Sequence, residues 1–322
     1  MHKTIIRRLL IMIPQLFAIS LFMFIVAYNI PGDALTGLTE NPNITYERIQ
    51  EMRYELGLLD PWPMQYGRWI SGIVLRGDFG FSINHSRPAI EVIGERAANT
   101  FQLALLTTIL TYAIALPLGI IAGRFNDKFV DRVIGVYTYL AMAMPTVVFA
   151  LINLLIFGFR LQWFPIRGSV DINAMPGTFE FFMSRMYHMT LPAITAALLA
   201  TIGIIQYLRG EIIRYKSSDF VTTARSKGVP ERKLYTKHIF RNALIPMASN
   251  IGFIIVGLLG GAIFIERIFS FPGMGLLFID SILLRDFTTA NALVMLFAAL
   301  TAIGALLSDI ILTIVDPRIR IK

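Results

Sequence analysis

The chain has 322 residues, of which 55% are hydrophobic and only 16% are charged. A soluble fold of this composition would have too few polar side chains to cover its surface, so an ordinary soluble domain is excluded. The sequence contains no cysteine, which also excludes disulfides, thiolate metal sites and thiol nucleophiles. We therefore expect the lipid bilayer to be the solvent for most of the chain.

Six apolar segments are long enough to cross a membrane as α-helices, because about 20 helical residues span the ~30 Å hydrocarbon core. The first segment lacks a small-residue cleavage site, so we expect it to be retained and not removed as a signal peptide. The predicted spans are residues 9–32, 97–123, 133–159, 188–208, 242–265 and 287–314. The sequence thus predicts an all-α polytopic membrane protein with six transmembrane helices.

Basic residues concentrate in alternate connecting segments, as the positive-inside rule describes. If residues 1–8 are cytoplasmic, 18 of the 29 Lys and Arg residues lie on the cytoplasmic side and 11 lie outside. The segments 209–241 and 315–322 are then cytoplasmic, and the segments 33–96, 160–187 and 266–286 are extracytoplasmic. We therefore expect both termini in the cytoplasm, and we attribute the net charge of +8 to this bias and not to nucleic-acid binding.

The first extracytoplasmic segment, 33–96, is expected to be partly helical. Thr45 is predicted to open a helix that Gly57 ends, and Pro61 is predicted to begin a second helix. The second helix carries an aromatic stripe that either lies in the membrane interface or packs on the protein's own helices. The stripe consists of Trp62, Tyr66, Trp69, Ile70 and Ile73. A short helix is predicted to begin at Pro88 and to lead into the second span.

The segment between the fourth and fifth spans contains a short helix with signals at both ends. Ser218 is predicted as its N-cap, Asp219 and Lys227 suit the helix dipole, and Gly228 supplies the left-handed residue after its end. A helix of ~13 Å is marginal in water, so we expect another surface to dock on it. The expected docking face consists of Phe220, Val221 and Ala224. The alternative is a helix that lies on its own membrane domain.

This segment resembles the EAA loop of permease subunits in ATP-binding-cassette (ABC) importers. It has Ala224 and Gly228 in register, but Thr222 and Thr223 replace the Glu-Ala of the general pattern. Residues 219–228, Asp-Phe-Val-Thr-Thr-Ala-Arg-Ser-Lys-Gly, and 238–246, His-Ile-Phe-Arg-Asn-Ala-Leu-Ile-Pro, are similar to the variant in peptide and nickel permeases. The resemblance implies a coupling helix that inserts into a cleft of an ATPase. The implied coupling residues are Asp219, Phe220, Val221, Thr222, Thr223, Ala224, Arg225, Lys227 and Gly228.

The resemblance extends over nearly the whole chain. It includes Pro31-Gly32-Asp33, Gly77-Asp78-Phe79-Gly80, the segment from Glu266 to Gly275, and Asp316-Pro317-Arg318. The chain most resembles the first of the two paired permeases in oligopeptide and dipeptide importers. This implies a type I ABC importer permease (MetI-like) fold and alternating access between the two sides of the membrane.

The same resemblance implies a set of partners. They are a second homologous permease, two ABC ATPase subunits, an extracytoplasmic substrate-binding protein and membrane lipid. The chain itself is expected to bind no cofactor, since a P-loop needs Gly-Lys-Ser/Thr and the sequence contains no Gly-Lys pair. ATP and Mg are therefore expected on the ATPase subunits.

Polar, flexible or small residues within the spans are candidates for a translocation path. They are Met142, Met144, Asn153, Gln206, Asn250, Gly257 and Gly261. Lipid or core packing of the methionines, hydrogen bonds between helices and close glycine packing are the alternatives. Asp309 is expected near the inner surface, where it caps or pairs with a neighbouring segment. Four prolines are expected to be tolerated inside spans, and they are Pro14, Pro117, Pro145 and Pro192.

Three function classes remain to be compared. An ABC importer permease for short peptides is favoured, with nickel or another small solute as the alternative substrate. An ion-driven secondary transporter ordinarily shows buried carboxylates and inverted repeats, which the sequence does not display. An intramembrane enzyme is disfavoured because the sequence has neither His-Glu-x-x-His nor Gly-x-Ser-x-Gly.

Overall fold

The computed structural model describes residues 2–33, 35–36, 44–248, 254, 257 and 262–315, and these are mostly helical. The first helices are α1 (His2–Asn29), α2 (Tyr46–Glu55), α3 (Trp62–Arg76), α4 (Ala89–Arg124), α5 (Phe129–Ala143) and α6 (Thr146–Asn153). The later helices are α7 (Phe179–Lys216), α8 (Asp219–Ser226), α9 (Glu231–Lys233), α10 (Phe240–Ala248), α11 (Ile263–Ile268), α12 (Met274–Leu283) and α13 (Phe287–Val315). Two π-helical segments, Leu154–Arg160 and Leu234–Ile239, follow α6 and α9.

Four of the described helices are long and apolar enough to cross a membrane, namely α1, α4, α7 and α13. They contain most or all of the predicted first, second, fourth and sixth spans. Helix α7 has 38 residues and extends beyond the predicted span 188–208 at both ends. Within the predicted fifth span, 242–265, residues 249–253, 255–256 and 258–261 lie outside the described residues.

Helices α4 and α7 form the most extensive helix–helix contact in the described part of the chain. Small residues allow their backbones to approach closely. A Cβ atom on Gly123 would lie 2.7 Å from Cβ of Ile212, and one on Gly119 would lie 3.0 Å from Cβ of Leu208. The α4–α7 pair is therefore the packing centre from which the other helices are positioned.

The third predicted span, 133–159, is not one straight helix. Helix α5 ends at Ala143, helix α6 begins at Thr146, and the two segments differ in direction by 107°. Pro145 has no N–H to continue the helix, and it disfavours helical backbone at Met144, which is extended (φ −91°, ψ 124°). The prediction that Pro145 lies inside a helix is therefore wrong.

The other three prolines do lie inside continuous helices: Pro14 in α1, Pro117 in α4 and Pro192 in α7. For these positions the expectation from the sequence is confirmed.

The described part of segment 33–96 contains the two predicted helices. Thr45 caps α2, and its hydroxyl oxygen accepts a hydrogen bond from the N–H of Arg48 at 3.3 Å. Gly57, with φ of 64°, and Gly77, with φ of 65°, follow the ends of α2 and α3 in the left-handed conformation that favours glycine. The short helix expected at Pro88 is instead the beginning of α4.

The aromatic stripe of α3 packs on α1. Tyr66 is 7% exposed, and its hydroxyl is 2.8 Å from the hydroxyl of Ser20. Its ring lies edge-on to Phe17 and Phe24, at centroid distances of 5.9 and 5.4 Å. Of the two predicted locations, the structure has the centre of the stripe on the protein's own helix, while Trp62 at its beginning is exposed.

A small hairpin that the sequence did not predict connects α3 to α4. Strands β1 (Phe81–Ser82) and β2 (Arg87–Pro88) pair in an antiparallel register, with Phe81 opposite Pro88. The hydroxyl of Ser82 donates to the carboxylate of Asp286, which is 1% exposed and precedes α13. The hairpin thereby joins the beginnings of α4 and α13.

Candidate functional site

The short helix α8 begins where the sequence predicts, but its first turn is stabilised differently. Ser218 has the extended backbone of an N-cap (φ −78°, ψ 153°), yet its side chain accepts no hydrogen bond from the helix. Its hydroxyl donates instead to the carbonyl of Tyr215 at 2.6 Å. The prediction of Ser218 as the N-cap residue is therefore confirmed, but its side chain does not cap the helix, and the hydroxyl instead joins α8 to the end of α7.

The carboxyl end of α8 has the predicted glycine termination. Gly228 is left-handed, with φ of 75°. Its N–H donates to the carbonyl of Arg225 at 3.0 Å, and the N–H of Val229 donates to the carbonyl of Ala224 at 3.2 Å. These two bonds form a Schellman motif, which fixes the direction in which the chain leaves the helix.

One face of α8 packs against the chain's own helices. Val221 is fully buried in a cluster with Leu208 and Ile212 of α7 and with Leu234 and Ile239 of the following π-helical segment. Ala224 is partly buried against the same cluster. Of the two alternatives that the sequence leaves open, these contacts agree with a helix that lies on its own membrane domain, because Val221 and Ala224 anchor α8 there.

The exposed face of α8 and of the turn that ends it is mainly polar. It consists of Asp219, Phe220, Thr222, Thr223, Arg225, Ser226, Lys227 and Gly228. Phe220 remains 37% exposed although its ring lies 6.1 Å from that of Tyr215. Arg225 donates through Nε to Glu231 at 2.7 Å, and this hydrogen bond holds the pKa of the Glu231 carboxyl below its usual value. The face thus combines one aromatic ring, hydroxyls and cations.

Two further contacts hold the connection after α4 against this region. Lys216 donates through Nζ to Oδ1 of Asn126 at 2.8 Å. The guanidinium of Arg124 lies 5.5 Å from the ring centroid of Tyr235. The α4–α5 connection, the end of α7 and the segment after α8 are consequently in mutual contact.

An ion pair joins α5 to α7 close to this region. Arg209 donates through Nε to Oδ1 of Asp131 at 2.6 Å and through Nη2 to Oδ2 at 2.8 Å. Asp131 also accepts a hydrogen bond from the N–H of Asp127 at 2.8 Å, and its side chain is only 6% exposed. A carboxylate with three donors and little solvent is a rigid junction.

Two more polar contacts follow along the same pair of helices. Gln206 donates through Nε2 to the hydroxyl of Thr138 at 2.6 Å. Tyr137 donates to the carbonyl of Leu198 at 2.7 Å, and its oxygen is 2.8 Å from that of Thr201. We call the contacts Asp131–Arg209, Thr138–Gln206 and Tyr137–Thr201 the α5–α7 ladder. On α5 the ladder ends at Thr138, about two turns before the bend at Pro145.

The candidate path residues lie in different surroundings. Met142 is 75% exposed, and Met144 is half-buried at the bend. Asn153 is 8% exposed and donates to the carbonyl of Phe149 at 2.8 Å, within its own helix. Gln206 belongs to the α5–α7 ladder, which is the interhelical alternative left open by the sequence. Asn250 and Gly261 lie outside the described residues.

Gly257 lines a cavity of about 260 Å³ between α4, α7 and α11. The polar residues on its wall are Thr100, Thr107, Thr108 and Glu266. Among the candidate path residues that the structure describes, Gly257 is the one that this cavity includes.

Glu266 is the charged residue of this wall and is fully buried, and no sequence pattern indicates an individual role for it. Its side chain is 0% exposed and accepts hydrogen bonds from the hydroxyl of Thr100 at 2.9 Å and the N–H of Leu276 at 2.9 Å. The N–H of Met274 donates to the Thr100 oxygen at 2.8 Å. Gly273 leaves room for the carboxylate, since a Cβ atom there would overlap it. Glu266 thus joins α4, α11 and α12.

Asp309 pairs with a residue of a neighbouring segment, as the sequence predicts. Its Oδ2 lies 2.7 Å from Nη2 of Arg8, so the beginning of α1 is paired with the end of α13. The side chain of Arg8 is 50% exposed, which is consistent with a position near the membrane surface.

The sequence matches two family models that together cover almost its whole length. Residues 115–321 match the family described as "Binding-protein-dependent transport system inner membrane component". Residues 1–110 match the family described as the amino-terminal part of the same kind of membrane component. The first match includes α5 to α13 and therefore α8, the α5–α7 ladder and Glu266.

Similar curated proteins cover the full chain. The oligopeptide transport system permease protein AppB of Bacillus subtilis is 35% identical over 321 residues, which are 99% of this chain and 100% of that protein. The dipeptide transport system permease protein DppB of Lactococcus lactis is 32% identical over 322 residues, with 100% of both chains covered. A putative peptide permease protein of Brucella suis is 32% identical over 324 residues, also with full coverage.

The fold is consistent with this family. A membrane component of a transport system requires several apolar helices, and the structure contains them. The chain therefore belongs to the family of binding-protein-dependent transport system inner membrane components.

Proposed function

We propose that this chain is the pore-forming permease of an ATP-driven importer of oligopeptides or dipeptides. The observation that carries the proposal is the two-sided character of α8. Val221 and Ala224 hold the helix on the membrane domain, and a polar face that includes Phe220 and Arg225 is left for a partner. The peptide specificity rests on the relatives, which are named as permeases for oligopeptides, dipeptides or peptides.

The partners of the proposed complex are a second homologous permease, two ABC ATPase subunits, an extracytoplasmic substrate-binding protein and membrane lipid. ATP and Mg would bind to the ATPase subunits, and both termini of this chain would be cytoplasmic. The exposed apolar surface of α1 supports a membrane or permease neighbour there, since Ile6, Leu10 and Ile13 are between 57% and 66% exposed. Such a surface is unfavourable in water.

The coupling mechanism follows from the contacts behind α8. Movement of an ATPase against the exposed face would displace α8 together with the end of α7, because Val221 is buried against Leu208 and Ile212. The α5–α7 ladder would transmit this displacement to α5, whereas α6, beyond the bend, contacts α7 elsewhere, where Ala150 packs near Leu191. The bend at Pro145 is then the position at which the two parts of the third span change their angle.

The translocation path is proposed to include the cavity beside Gly257 and Glu266. Alternating access needs a polar passage that two membrane halves open and close, and this cavity has three threonines on one wall. The path residues Met142, Met144, Asn153, Asn250 and Gly261 remain candidates, whereas Gln206 is proposed to act in the ladder.

Reconstitution tests the proposed function directly. The complex is incorporated into proteoliposomes with ATP inside and the binding protein and a labelled dipeptide outside. We expect uptake that requires ATP hydrolysis and continues when ionophores collapse ion gradients. Uptake that follows a proton or sodium gradient without ATP would contradict the proposal, and ATP-driven uptake of nickel but not of peptide would contradict the substrate.

A further inference from the structure

The turn between α11 and α12, residues 269–273, lies at one end of the cavity beside Glu266, and we call it the outer turn. The wall of this cavity on α4 extends from Thr100 to Thr108. At the first of these residues, the oxygen of Thr100 accepts a hydrogen bond at 2.8 Å from the N–H of Met274, which begins α12. In the proposed orientation α4 begins outside the membrane, so the outer turn lies at the extracytoplasmic end of the cavity.

Two contacts hold the outer turn on the neighbouring helices. The side chain of Phe271 is fully buried in an apolar cluster between α4 and α7. The carbonyl of Pro272 accepts a hydrogen bond from Nδ2 of Asn99 at 2.8 Å. Because Asn99 and Thr100 are adjacent on α4, the outer turn and the first turn of α12 are fixed at the same point of that helix.

The carboxylate of Glu266 is held at this point by hydrogen bonds and not by a direct ion pair with a described residue. Its donors include the hydroxyl of Thr100 and the N–H of Leu276, both at 2.9 Å. The N–H belongs to the first turn of α12, where the helix dipole also favours an anion. A Cβ atom on Gly275 would lie 2.9 Å from Oε2 of Glu266, so only glycine leaves enough room there. The carboxylate is therefore confined to one position, in which it contacts both α4 and α12.

A buried carboxylate with few donors depends strongly on each of them. In the absence of water, loss of the Thr100 hydroxyl would leave one oxygen of Glu266 without its donor, and an unsatisfied buried charge is costly. When water can enter, it replaces the hydroxyl as the donor at little net cost. The contact between Glu266 and Thr100 is consequently strong while the outer end of the cavity is closed, and weak once that end is open.

We propose that Glu266 is a positioning residue that keeps the outer turn closed over the extracytoplasmic end of the cavity until the complex opens outward. This role rests on the proposed importer function and assigns control of its path to one residue. Glu266 would not touch the substrate, because its side chain is 0% exposed, and it would act through α12 and the outer turn. Outward opening would separate α12 from α4 at Thr100, and water would then hydrate the carboxylate.

Weakening this contact should have an effect opposite to that of general damage. Where the ATPase subunits close on ATP in the outward-open form, a destabilised closed form favours ATP hydrolysis before any peptide arrives. Basal hydrolysis would rise, and its stimulation by peptide would fall. Structural damage alone would instead lower the melting temperature and both rates of hydrolysis together.

Two substitutions remove the contact in different ways. Thr100→Val removes the hydroxyl at similar volume, whereas Glu266→Gln keeps the volume and directs an amide N–H at one of the donors. ATP hydrolysis by the complex in proteoliposomes is measured with and without the binding protein and a dipeptide. For both variants we expect basal hydrolysis to rise about threefold and its stimulation to fall by a similar factor.

Two further variants are matched controls. Thr100→Ser keeps the hydroxyl and should retain the wild-type rates. Thr111 is also buried on α4, but its hydroxyl donates within the helix, to the carbonyl of Thr107 at 2.8 Å. Thr111→Val should therefore leave basal and stimulated hydrolysis unchanged.

A second measurement follows the outer turn without ATP hydrolysis or transport. The sequence contains no cysteine, so Ala104→Cys on the cavity wall gives this chain a single thiol. A membrane-impermeant maleimide is added from outside to the nucleotide-free complex, and its attachment to this chain is followed by mass spectrometry. We expect labelling to be slow, and to become about threefold faster when Thr100→Val or Glu266→Gln is also present. Thr111→Val should not change the labelling rate.

Two outcomes would overturn the assignment. One is a labelling rate that neither Thr100→Val nor Glu266→Gln increases. The other is a parallel loss of melting temperature and of basal and stimulated hydrolysis in both variants, which would make Glu266 a structural residue only. The labelling result holds even if the wild-type complex imports no dipeptide, because that failure would contradict the proposed function alone.

Discussion

The carboxylate of Asp131 and the guanidinium of Arg209 form a two-bond ion pair, with N···O distances of 2.6 and 2.8 Å. The pair connects the first turn of α5 to α7 about two turns before the end of α7. Helix α7 leads into α8, which is proposed to contact the ATPase. A movement of α8 would therefore also change the position of α5.

Arg209→Met should therefore weaken the coupling between peptide transport and ATP hydrolysis in the complex. It leaves Asp131 buried without its cation, which we expect to cost about 3–5 kcal/mol of stability and to reduce peptide-stimulated ATP hydrolysis more than basal hydrolysis. The double exchange Asp131→Arg with Arg209→Asp should recover part of the lost stability and part of the lost peptide-stimulated hydrolysis. Arg48→Gln, in an exposed pair with Glu51, is the control and should change stability by less than about 1 kcal/mol. If Arg209→Met retains normal stimulation, the ladder does not transmit movement.

Gly228 allows a graded test of the termination of α8. Its φ of 75° is accessible to glycine and tolerated by asparagine, but it is unfavourable for a β-branched residue. We expect Gly228→Val to abolish ATP-driven uptake and peptide-stimulated hydrolysis, while Gly228→Asn retains most of both. Membrane insertion, checked by fractionation, should be normal for both variants. Coupled transport by Gly228→Val at the wild-type rate would contradict the proposed role.

The two faces of α8 should respond differently to substitution. Val221→Ala removes two buried methyl groups and should lower the free energy of unfolding by about 2 kcal/mol. Thr222→Trp changes only the exposed face, so we expect an unchanged melting temperature and loss of ATPase binding in a pull-down with the detergent-solubilised complex. An unimpaired pull-down for Thr222→Trp would show that this face is not the contact.

The bend at Pro145 is accessible to distance measurement because the chain has no cysteine. Spin labels are placed on introduced cysteines at Val136 and Ile152, one on each side of the bend. We expect the distance distribution to change between the nucleotide-free and ATP-bound complex. In Pro145→Ala, where a helical N–H is available again, we expect a longer mean distance and slower uptake. Pro117→Ala, within the continuous helix α4, should leave both measurements unchanged.

Sequence patterns predict features of this fold that depend on local chemistry. Apolar length places the long helices, Thr45 and Gly57 delimit α2, and the left-handed Gly228 follows α8. The sequence shows where Pro145 stands, but whether the helix continues there depends on whether neighbouring helices satisfy the freed carbonyls, which a single sequence does not reveal.

The errors at α8 and Glu266 have a common physical origin. Val221 forms an apolar face with Ala224 whether the partner is an ATPase or the chain's own Leu208, so periodicity alone does not identify the partner. Glu266 stands at the end of an apolar run, and its burial depends on Thr100, which is 166 residues away in sequence. The available signal is a carboxylate six residues before the Pro272-Gly273 turn, and this pattern alone does not indicate that Glu266 caps α12.

The length of α7 has a mechanical consequence. A helix of 38 residues measures about 57 Å at 1.5 Å per residue, whereas the hydrocarbon layer is only ~30 Å thick. If α7 pivots near its middle, a tilt of about 10° displaces each end by roughly 5 Å, on the same rise per residue. Helix α7 would then be a lever arm, and a small rotation within the membrane would correspond to a movement of α8 about as large as one helical turn.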